Sequence, residues 1–176
     1  MELVKRRRYF RNDFELYAGI TDLLLTLPTH LKTTKAVDVG SYIGESANIF
    51  SLFFSEVICI DPMENQEVKL WFLENTAGRN ISLIQKTSDA GHPDLLYEGY
   101  GLVYIDAVHT FEQVTADIRN YWSKVKEDGY IGGHDYYAGP ESEGVVKAVN
   151  KIFVQPDFVF VDGSWLVKKT IGRARF

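Results

Sequence analysis

Polar residues at one predicted junction between a strand and a helix are the first candidates for chemistry. The stretch VDVGSYIGESA, residues 37–47, runs from apolar residues into glycine, serine and acid, and back again. A structural turn needs one glycine, but this junction holds Gly40 and Gly44 together with the acids Asp38 and Glu45. Close backbone approach and free amides at a helix start are typical of a ligand-binding corner.

A second acid indicates what that ligand is. Asp61 ends an apolar run in CIDP, 21 residues beyond Gly40, and an acid about 20 residues after a glycine turn accepts the hydroxyls of a ribose. The junction reads G-x-x-x-G and lacks the middle glycine with which a backbone approaches a pyrophosphate. The pattern favours a nucleoside without a diphosphate. We expect S-adenosylmethionine, whose carboxylate suits helix amides and whose sulfonium suits nearby acids.

The stretch YIDAVHTFE holds candidates for catalysis, with Asp106 at the end of an apolar run and His109 three residues on. Methyl transfer to oxygen needs an aligned hydroxyl and a group that takes its proton, and His109 is the natural general base. Asp135 follows the next apolar run, in GGHDYY. Together with Asp106 it could hold Mg²⁺, which lowers the pKa of a hydroxyl. Without a metal, Asp106 would orient the amine of the cofactor.

The elements that must position these residues are short apolar runs that alternate with longer segments of helical periodicity. Strands are predicted over Ala36–Val39, Val57–Ile60, Ile81–Gln85, Leu102–Ile105 and Tyr130–Gly132. Helices are predicted over Gly44–Phe54, Gln66–Thr76, Phe111–Lys126 and Glu143–Phe153, and an earlier one from Phe14 to Leu27, capped by Asn12 and stopped by Pro28. Such alternation is typical of a parallel sheet with helices on both faces. Asp162 and Gly163 predict a final hairpin, which adds an antiparallel edge.

Composition limits the classes of protein that fit. The 176 residues, 45% of them hydrophobic, suffice for one core, so we expect an N-terminal helical segment over residues 1–34 and an α/β body over residues 35–176. A net charge of −5 argues against a nucleic-acid partner, and the basic run Lys5–Arg8 is expected on a solvated face. Cys59 is the only cysteine and offers no disulfide. We expect no signal peptide, no membrane contact and a cytoplasmic location.

The motifs, taken in order, resemble the class I S-adenosylmethionine-dependent methyltransferases from about Lys35 to Tyr137. They resemble most the small O-methyltransferase-like group that ends its fourth strand IDGDHSYE and its fifth GGxxxxHDY. The resemblance implies an α/β, Rossmann-like, doubly wound, seven-stranded and mostly parallel sheet with an antiparallel C-terminal hairpin. The sequence departs from the group at IDAVH, where Ala107 replaces the glycine and Val108 the second acid.

The resemblance also implies which residues hold the cofactor. Its methionine part would lie against Asp38, Gly40, Ser41, Gly44, Glu45 and Ser46. Asp61, followed by Pro62, would hold the ribose, Ser88 and Asp89 would lie on the adenine side, and Asp106 would face the amine. Tyr136 and Tyr137 lie where an acceptor ring could stack, or they are core aromatics.

The leading hypothesis is an S-adenosylmethionine-dependent O-methyltransferase, metal-assisted or not, that acts on a small glycosyl or phenolic hydroxyl. One alternative is an NAD-dependent oxidoreductase, which the missing middle glycine disfavours. The other is a non-catalytic methyltransferase-like binding or assembly module, which the altered IDAVH motif favours. The acceptor pocket would be built by residues 1–34, 63–67 and 139–144, and a second copy in a homo-oligomer could complete it.

Overall fold

A computed structural model describes residues 14–176, with side chains from residue 18 onward. The basic run Lys5–Arg8 and the predicted cap Asn12 lie outside the described residues. The helices are α1 Phe14–Thr26, α2 Glu45–Phe50, α3 Gln66–Thr76, α4 Ser88–Gly91, α5 Phe111–Trp122 and α6 Glu143–Phe153. The strands are β1 Lys35–Val39, β2 Glu56–Ile60, β3 Ile81–Ile84, β4 Tyr100–Ile105, β5 Val125–Gly133, β6 Phe158–Val159 and β7 Trp165–Lys168.

The strands form one seven-stranded sheet in the order β3-β2-β1-β4-β5-β7-β6. Strands β1 to β5 pair in parallel, and β7 pairs antiparallel with both β5 and β6. The predicted fold class is therefore confirmed, including the antiparallel edge. In the terminal hairpin the Phe160 amide donates to the Ser164 carbonyl over 2.8 Å, and Gly163 has the positive φ of +84° that favours glycine at such a turn.

Two apolar cores cover the two faces of the sheet. Strand β4 is buried along its whole length and contributes to both, because successive side chains of a strand point to opposite faces. On one face, Val103 packs with residues of α5 and α6, among them Ile118 and Val149. On the other face, Leu102 packs with residues of α1, α2 and α3. The sheet is thus a rigid support whose strand ends can hold a site.

The strand order reverses between β1 and β4, which pair side by side although β2 follows β1 in the chain. In an open α/β sheet such a reversal opens a crevice outside the carboxyl ends of the strands. Gly40, Asp61 and Asp106 each follow directly on the last residue of a strand at that edge. The topology therefore brings together residues that are far apart in sequence.

Several element boundaries differ from those predicted. The helix predicted over residues 111–126 ends at Trp122, because Val125 is fully buried and already pairs with Tyr100 in the sheet. The helix predicted from residue 44 to 54 ends at Phe50 and tightens into a turn, with Phe53 donating to the Phe50 carbonyl. Residues 88–94, predicted as loop, contain α4 and a 3₁₀ turn, and the Thr87 side chain caps α4.

No helix within residues 14–176 combines the length and the apolar character that crossing a membrane requires. Cys59 lies buried in β2 as a free thiol.

Candidate active site

The glycine corner follows β1 and lies against the end of β4. Gly40 has φ +88°, and a Cβ at this position would lie 2.1 Å from the carbonyl oxygen of Asp106. Its amide donates to the Ile60 carbonyl at the end of β2 over 2.8 Å. Only glycine fits here, because a side chain would be strained by the left-handed backbone and would also collide with β4. The corner thus connects three strand ends.

Asp61 is held by backbone amides on both oxygens of its carboxylate. Oδ2 accepts a hydrogen bond of 3.0 Å from the Tyr42 amide in the glycine corner, and Oδ1 accepts one of 2.8 Å from the Met63 amide. Both donors have positive φ although neither is glycine, +44° at Tyr42 and +51° at Met63. The charged side chain therefore has a fixed orientation beside the corner.

Asp38 lies beneath the corner and is fully buried. Its Oδ2 accepts a hydrogen bond of 2.8 Å from the Ser46 hydroxyl, and its backbone carbonyl accepts one of 2.8 Å from the Ser41 hydroxyl. Burial raises the pKa of this carboxyl to about 7, an effect that the Ser46 hydrogen bond opposes and the nearby Asp106 charge reinforces. Asp38 supports the corner from within and does not line the cleft above it.

The raised pKa of Asp38 predicts how stability depends on pH. Between about pH 4 and 7 the folded chain keeps a proton on Asp38 that the unfolded chain has released, so this group lowers stability as the pH rises through that window. Asp38→Asn lacks this titrating group, so we expect its free energy of unfolding to rise relative to that of wild type as the pH increases through this window. The rise should reach up to about 1.4 kcal/mol per pH unit. Denaturant titrations from pH 5 to 8 measure the difference in unfolding free energy between the two proteins. A difference that stays constant with pH would contradict the prediction.

The ends of β4 and β5 bring one histidine between two carboxylates. His109 Nε2 lies 3.2 Å from Asp106 Oδ1 and 3.1 Å from Asp135 Oδ2. His134 Nδ1 lies 3.1 Å from the other oxygen of Asp135. The Thr110 side chain caps α5, so His109 immediately precedes a fixed helix start. The four side chains, contributed by two strand ends, form the cluster that we call the His–Asp cluster: Asp106, His109, His134 and Asp135.

Charges in the His–Asp cluster perturb one another. The hydrogen bond to Asp106 raises the pKa of His109, and burial opposes this while the Asp135 charge adds to it. Burial favours the neutral form of Asp135, but the contacts with His134 and His109 outweigh it and lower the pKa of Asp135. Opposite charges within 4 Å favour the charged forms of both partners. The cluster therefore holds a proton-accepting ring between two carboxylates.

Ser88 and Asp89, both predicted to lie on the adenine side, point in different directions in the structure. Ser88 faces the cleft, and its carbonyl accepts a hydrogen bond of 2.8 Å from the Tyr121 hydroxyl. Asp89 points toward α5, where its carboxylate accepts hydrogen bonds from Asn120 over 3.1 Å and from Gln113 over 3.4 Å. Gln113 also donates to the Ser88 hydroxyl over 3.2 Å. Asp89 thus connects α4 to α5 through these hydrogen bonds and does not line the cleft.

A cleft of about 630 Å³ connects the corner with the His–Asp cluster. Ten of the predicted site residues line it: Gly40, Ser41, Glu45, Ser46, Asp61, Pro62, Ser88, Asp106, His109 and Asp135. Asp38, Gly44 and Asp89 do not appear on its surface. Gly44 instead begins α2 with φ +84°, packed against Thr76 and Phe72 of α3.

Other lining residues were not predicted as site residues. Ile20 of α1 and Glu141 come from two of the segments expected to build the acceptor pocket, whereas residues 63–67 stay off the cleft surface. Tyr42 contributes its backbone amide, and main-chain donors leave no mark in a sequence. Glu141 could have been found, because it is, with Asp135, one of two acids in the loop that follows the fifth strand.

Comparison with known proteins agrees with this geometry. A family model described as a methyltransferase domain matches residues 37–136, from β1 to just beyond Asp135. The chain belongs to this family of methyltransferase domains. The uncharacterized protein R132 of Acanthamoeba polyphaga mimivirus is 30% identical over 127 residues, which are 66% of this chain and 58% of that protein. The chain thus spans little more than half the length of this curated relative.

Solved structures share the fold of this methyltransferase domain at low sequence identity. A protein from Corynebacterium glutamicum superposes with a TM-score of 0.62 at 13% identity and covers 97% of each chain. An S-adenosylmethionine-dependent O-methyltransferase from Thermotoga maritima superposes with a TM-score of 0.60 at 11% identity, covering 76% of this chain and 49% of the other. At such identities the likeness shows the common fold.

Proposed function

We propose that the chain is an S-adenosylmethionine-dependent methyltransferase that acts on a hydroxyl of a small glycosyl or phenolic acceptor, within the small O-methyltransferase-like group that its motifs resemble. One observation carries the proposal. The Tyr42 amide of the glycine corner fixes the Asp61 carboxylate on one wall of the cleft, so a carboxylate that can accept ribose hydroxyls lies directly beside the corner. Membership of the methyltransferase family supports the same conclusion.

The residues present fit the cofactor. A cleft of about 630 Å³ lies within the range of roughly 300–1,000 Å³ that small-molecule sites occupy. Asp61 would bind the ribose hydroxyls, the amides after Gly40 would receive the methionine carboxylate, and Ser88 would lie on the adenine side. Glu45 supplies a carboxylate for the amine and the sulfonium, and Asp106 adds a second one when it holds no metal, which suits a ligand with two positive charges.

In this reaction the protein must align the acceptor oxygen with the methyl carbon and remove the proton of the acceptor hydroxyl. When bound, the cofactor supplies an electrophilic methyl carbon for in-line displacement by an oxygen. His109 takes the proton of the acceptor hydroxyl as its oxygen forms the new bond to carbon. Asp106 and Asp135, both in contact with the ring, orient it and stabilise the imidazolium that results.

A divalent cation is the second part of the proposal. Asp106, His134 and Asp135 offer one ligand atom each within 4.8 Å of one another, and two carboxylates with an imidazole suit such an ion. The ion would lower the pKa of the acceptor hydroxyl. We expect turnover to fall on treatment with a chelator and to recover with Mg²⁺. Turnover that changes with neither treatment would contradict the metal site, and Asp106 would then orient the amine of the cofactor.

A thermal-shift comparison tests the proposed function. S-adenosylhomocysteine at about 100 times its Kd should stabilise the protein by about 2.7 kcal/mol, whereas NAD at the same concentration should leave the melting temperature unchanged. Stabilisation by NAD alone would contradict the proposed methyltransferase function and favour an NAD-dependent oxidoreductase. Stabilisation by neither ligand would favour a binding or assembly module without catalysis.

A further inference from the structure

We propose that Asp117 is a positioning residue that makes the Ser88 hydroxyl accept a hydrogen bond from the base of the cofactor. An accepting hydroxyl at Ser88 selects a purine that carries an amino group at this point and rejects one that carries a carbonyl oxygen. This inference rests on the proposed function, because it takes the ligand beside Ser88 to be the adenine of the cofactor. It adds the group that sets the specificity for that base.

Asp117 is a fully buried acid of α5 that does not line the cleft. Its Oδ1 accepts a hydrogen bond of 3.0 Å from the Gln113 amide, whereas its Oδ2 has no hydrogen-bond partner among residues 14–176. Burial raises the pKa of Asp117, and the Ser88 hydroxyl and the Gln113 amide oppose that rise. A buried carboxylate oxygen without a donor is costly, so the hydrogen of the nearby Ser88 hydroxyl turns toward Asp117.

The Gln113 side chain fixes the direction of the other hydrogen bonds. Its amide nitrogen lies 3.0 Å from Asp117 Oδ1, 3.4 Å from Asp89 Oδ2 and 3.2 Å from Ser88 Oγ. Ionised carboxylates only accept hydrogen bonds, so the nitrogen of Gln113, and not its carbonyl oxygen, must face the two acids. The same nitrogen faces Ser88 Oγ, so Gln113 offers the serine a donor and cannot receive its hydrogen.

Ser88 itself is held on the wall of the cleft. Its carbonyl accepts a hydrogen bond of 2.8 Å from the Tyr121 hydroxyl, and the Thr87 side chain caps the helix that Ser88 begins. A serine hydroxyl has one hydrogen and two lone pairs. With its hydrogen directed to Asp117 and one lone pair facing Gln113, Ser88 presents the remaining lone pair to the cleft. Adenine carries an amino donor at its 6-position, whereas hypoxanthine carries a carbonyl oxygen there.

A comparison of S-adenosylhomocysteine with S-inosylhomocysteine, its 6-oxo counterpart, tests the inference by calorimetry. Wild type should bind the adenosyl compound at least tenfold more tightly. In Asp117→Asn the new amide oxygen receives the Gln113 hydrogen and the new amide nitrogen donates to Ser88 Oγ, so the serine hydrogen turns to the cleft. We expect this variant to bind S-inosylhomocysteine more tightly than wild type does, and the ratio of the two affinities to fall at least tenfold.

Two further variants locate the effect. Ser88→Ala removes the hydroxyl and should also reduce the preference for the adenosyl compound, whereas Glu112→Gln, at an exposed position of the same helix, should preserve it. Equal binding of both compounds by wild type, or loss of affinity by the same factor for both in Asp117→Asn, would overturn the inference. If Asp117→Asn does not fold, an unchanged ratio in Ser88→Ala would overturn it. Failure of S-adenosylhomocysteine to bind wild type would instead count against the proposed function.

Discussion

Replacing His109 by alanine should lower the turnover of methyl transfer at least 100-fold and leave the affinity for S-adenosylhomocysteine within about twofold of wild type. General-base catalysis contributes about 10²- to 10⁴-fold, and His109 is the ring held between Asp106 and Asp135 where we place the acceptor. Single-turnover kinetics with a radiolabelled methyl group measure the loss, and calorimetry measures the affinity. Turnover that survives the substitution would remove His109 from the chemistry.

Two further variants distinguish proton removal from a purely structural role of the ring. His109→Gln keeps a side chain that can donate to both carboxylates but cannot take a proton at neutral pH. We expect it to be as slow as the alanine variant, and recovery of activity would show that the ring serves only to hold Asp106 and Asp135. His30→Ala, an exposed histidine before β1, serves as the control and should have wild-type turnover.

Gly40→Ala should both destabilise the protein and weaken cofactor binding. The added methyl would meet the Asp106 carbonyl at 2.1 Å, in a backbone with φ +88°, so either β4 or the corner must shift. Left-handed strain and overpacking each cost about 1–3 kcal/mol. We therefore expect a melting temperature about 5 °C or more below wild type, and an affinity for S-adenosylhomocysteine lowered at least tenfold.

Gly78→Ala is the matched control. Gly78 has φ +74° but nothing within 4 Å of the position of a Cβ, so this substitution introduces the backbone strain without the collision. It should cost about 1–2 kcal/mol of stability and leave S-adenosylhomocysteine binding unchanged. Equal loss of affinity in the two variants would mean that the contact between the corner and β4 does not shape the site.

The fold was predictable because each element carries its own local signal. Buried strands such as β4 are short apolar runs, and the hairpin is marked by Asp162 and Gly163. Helix ends were less predictable, since they depend on tertiary pairing. The helix expected to reach Lys126 ends at Trp122 because Val125 pairs with Tyr100, a contact between residues 25 positions apart.

Residues that line the cleft were predictable where the residue type near a strand end marks them, as at Gly40, Asp61 and His109. The directions in which side chains point were not predictable from the sequence. Asp89 follows the third strand as expected, yet it turns toward Asn120 and Gln113 on α5. The Tyr42 amide that holds Asp61 is a backbone group and has no sequence signal. Such features depend on hydrogen bonds that form only once the helices have packed.

The most direct test of the central claim is a calorimetric titration of S-adenosylhomocysteine into wild type, Asp61→Ala and Glu64→Ala. Two charge-assisted hydrogen bonds from Asp61 to a ribose are worth about 1.5 kcal/mol each, so Asp61→Ala should bind about 100-fold more weakly than wild type. The exposed Glu64, three residues on, should be replaceable without effect. Equal affinities in all three proteins, or no binding to wild type, would contradict an adenosyl ligand held between Asp61 and the glycine corner.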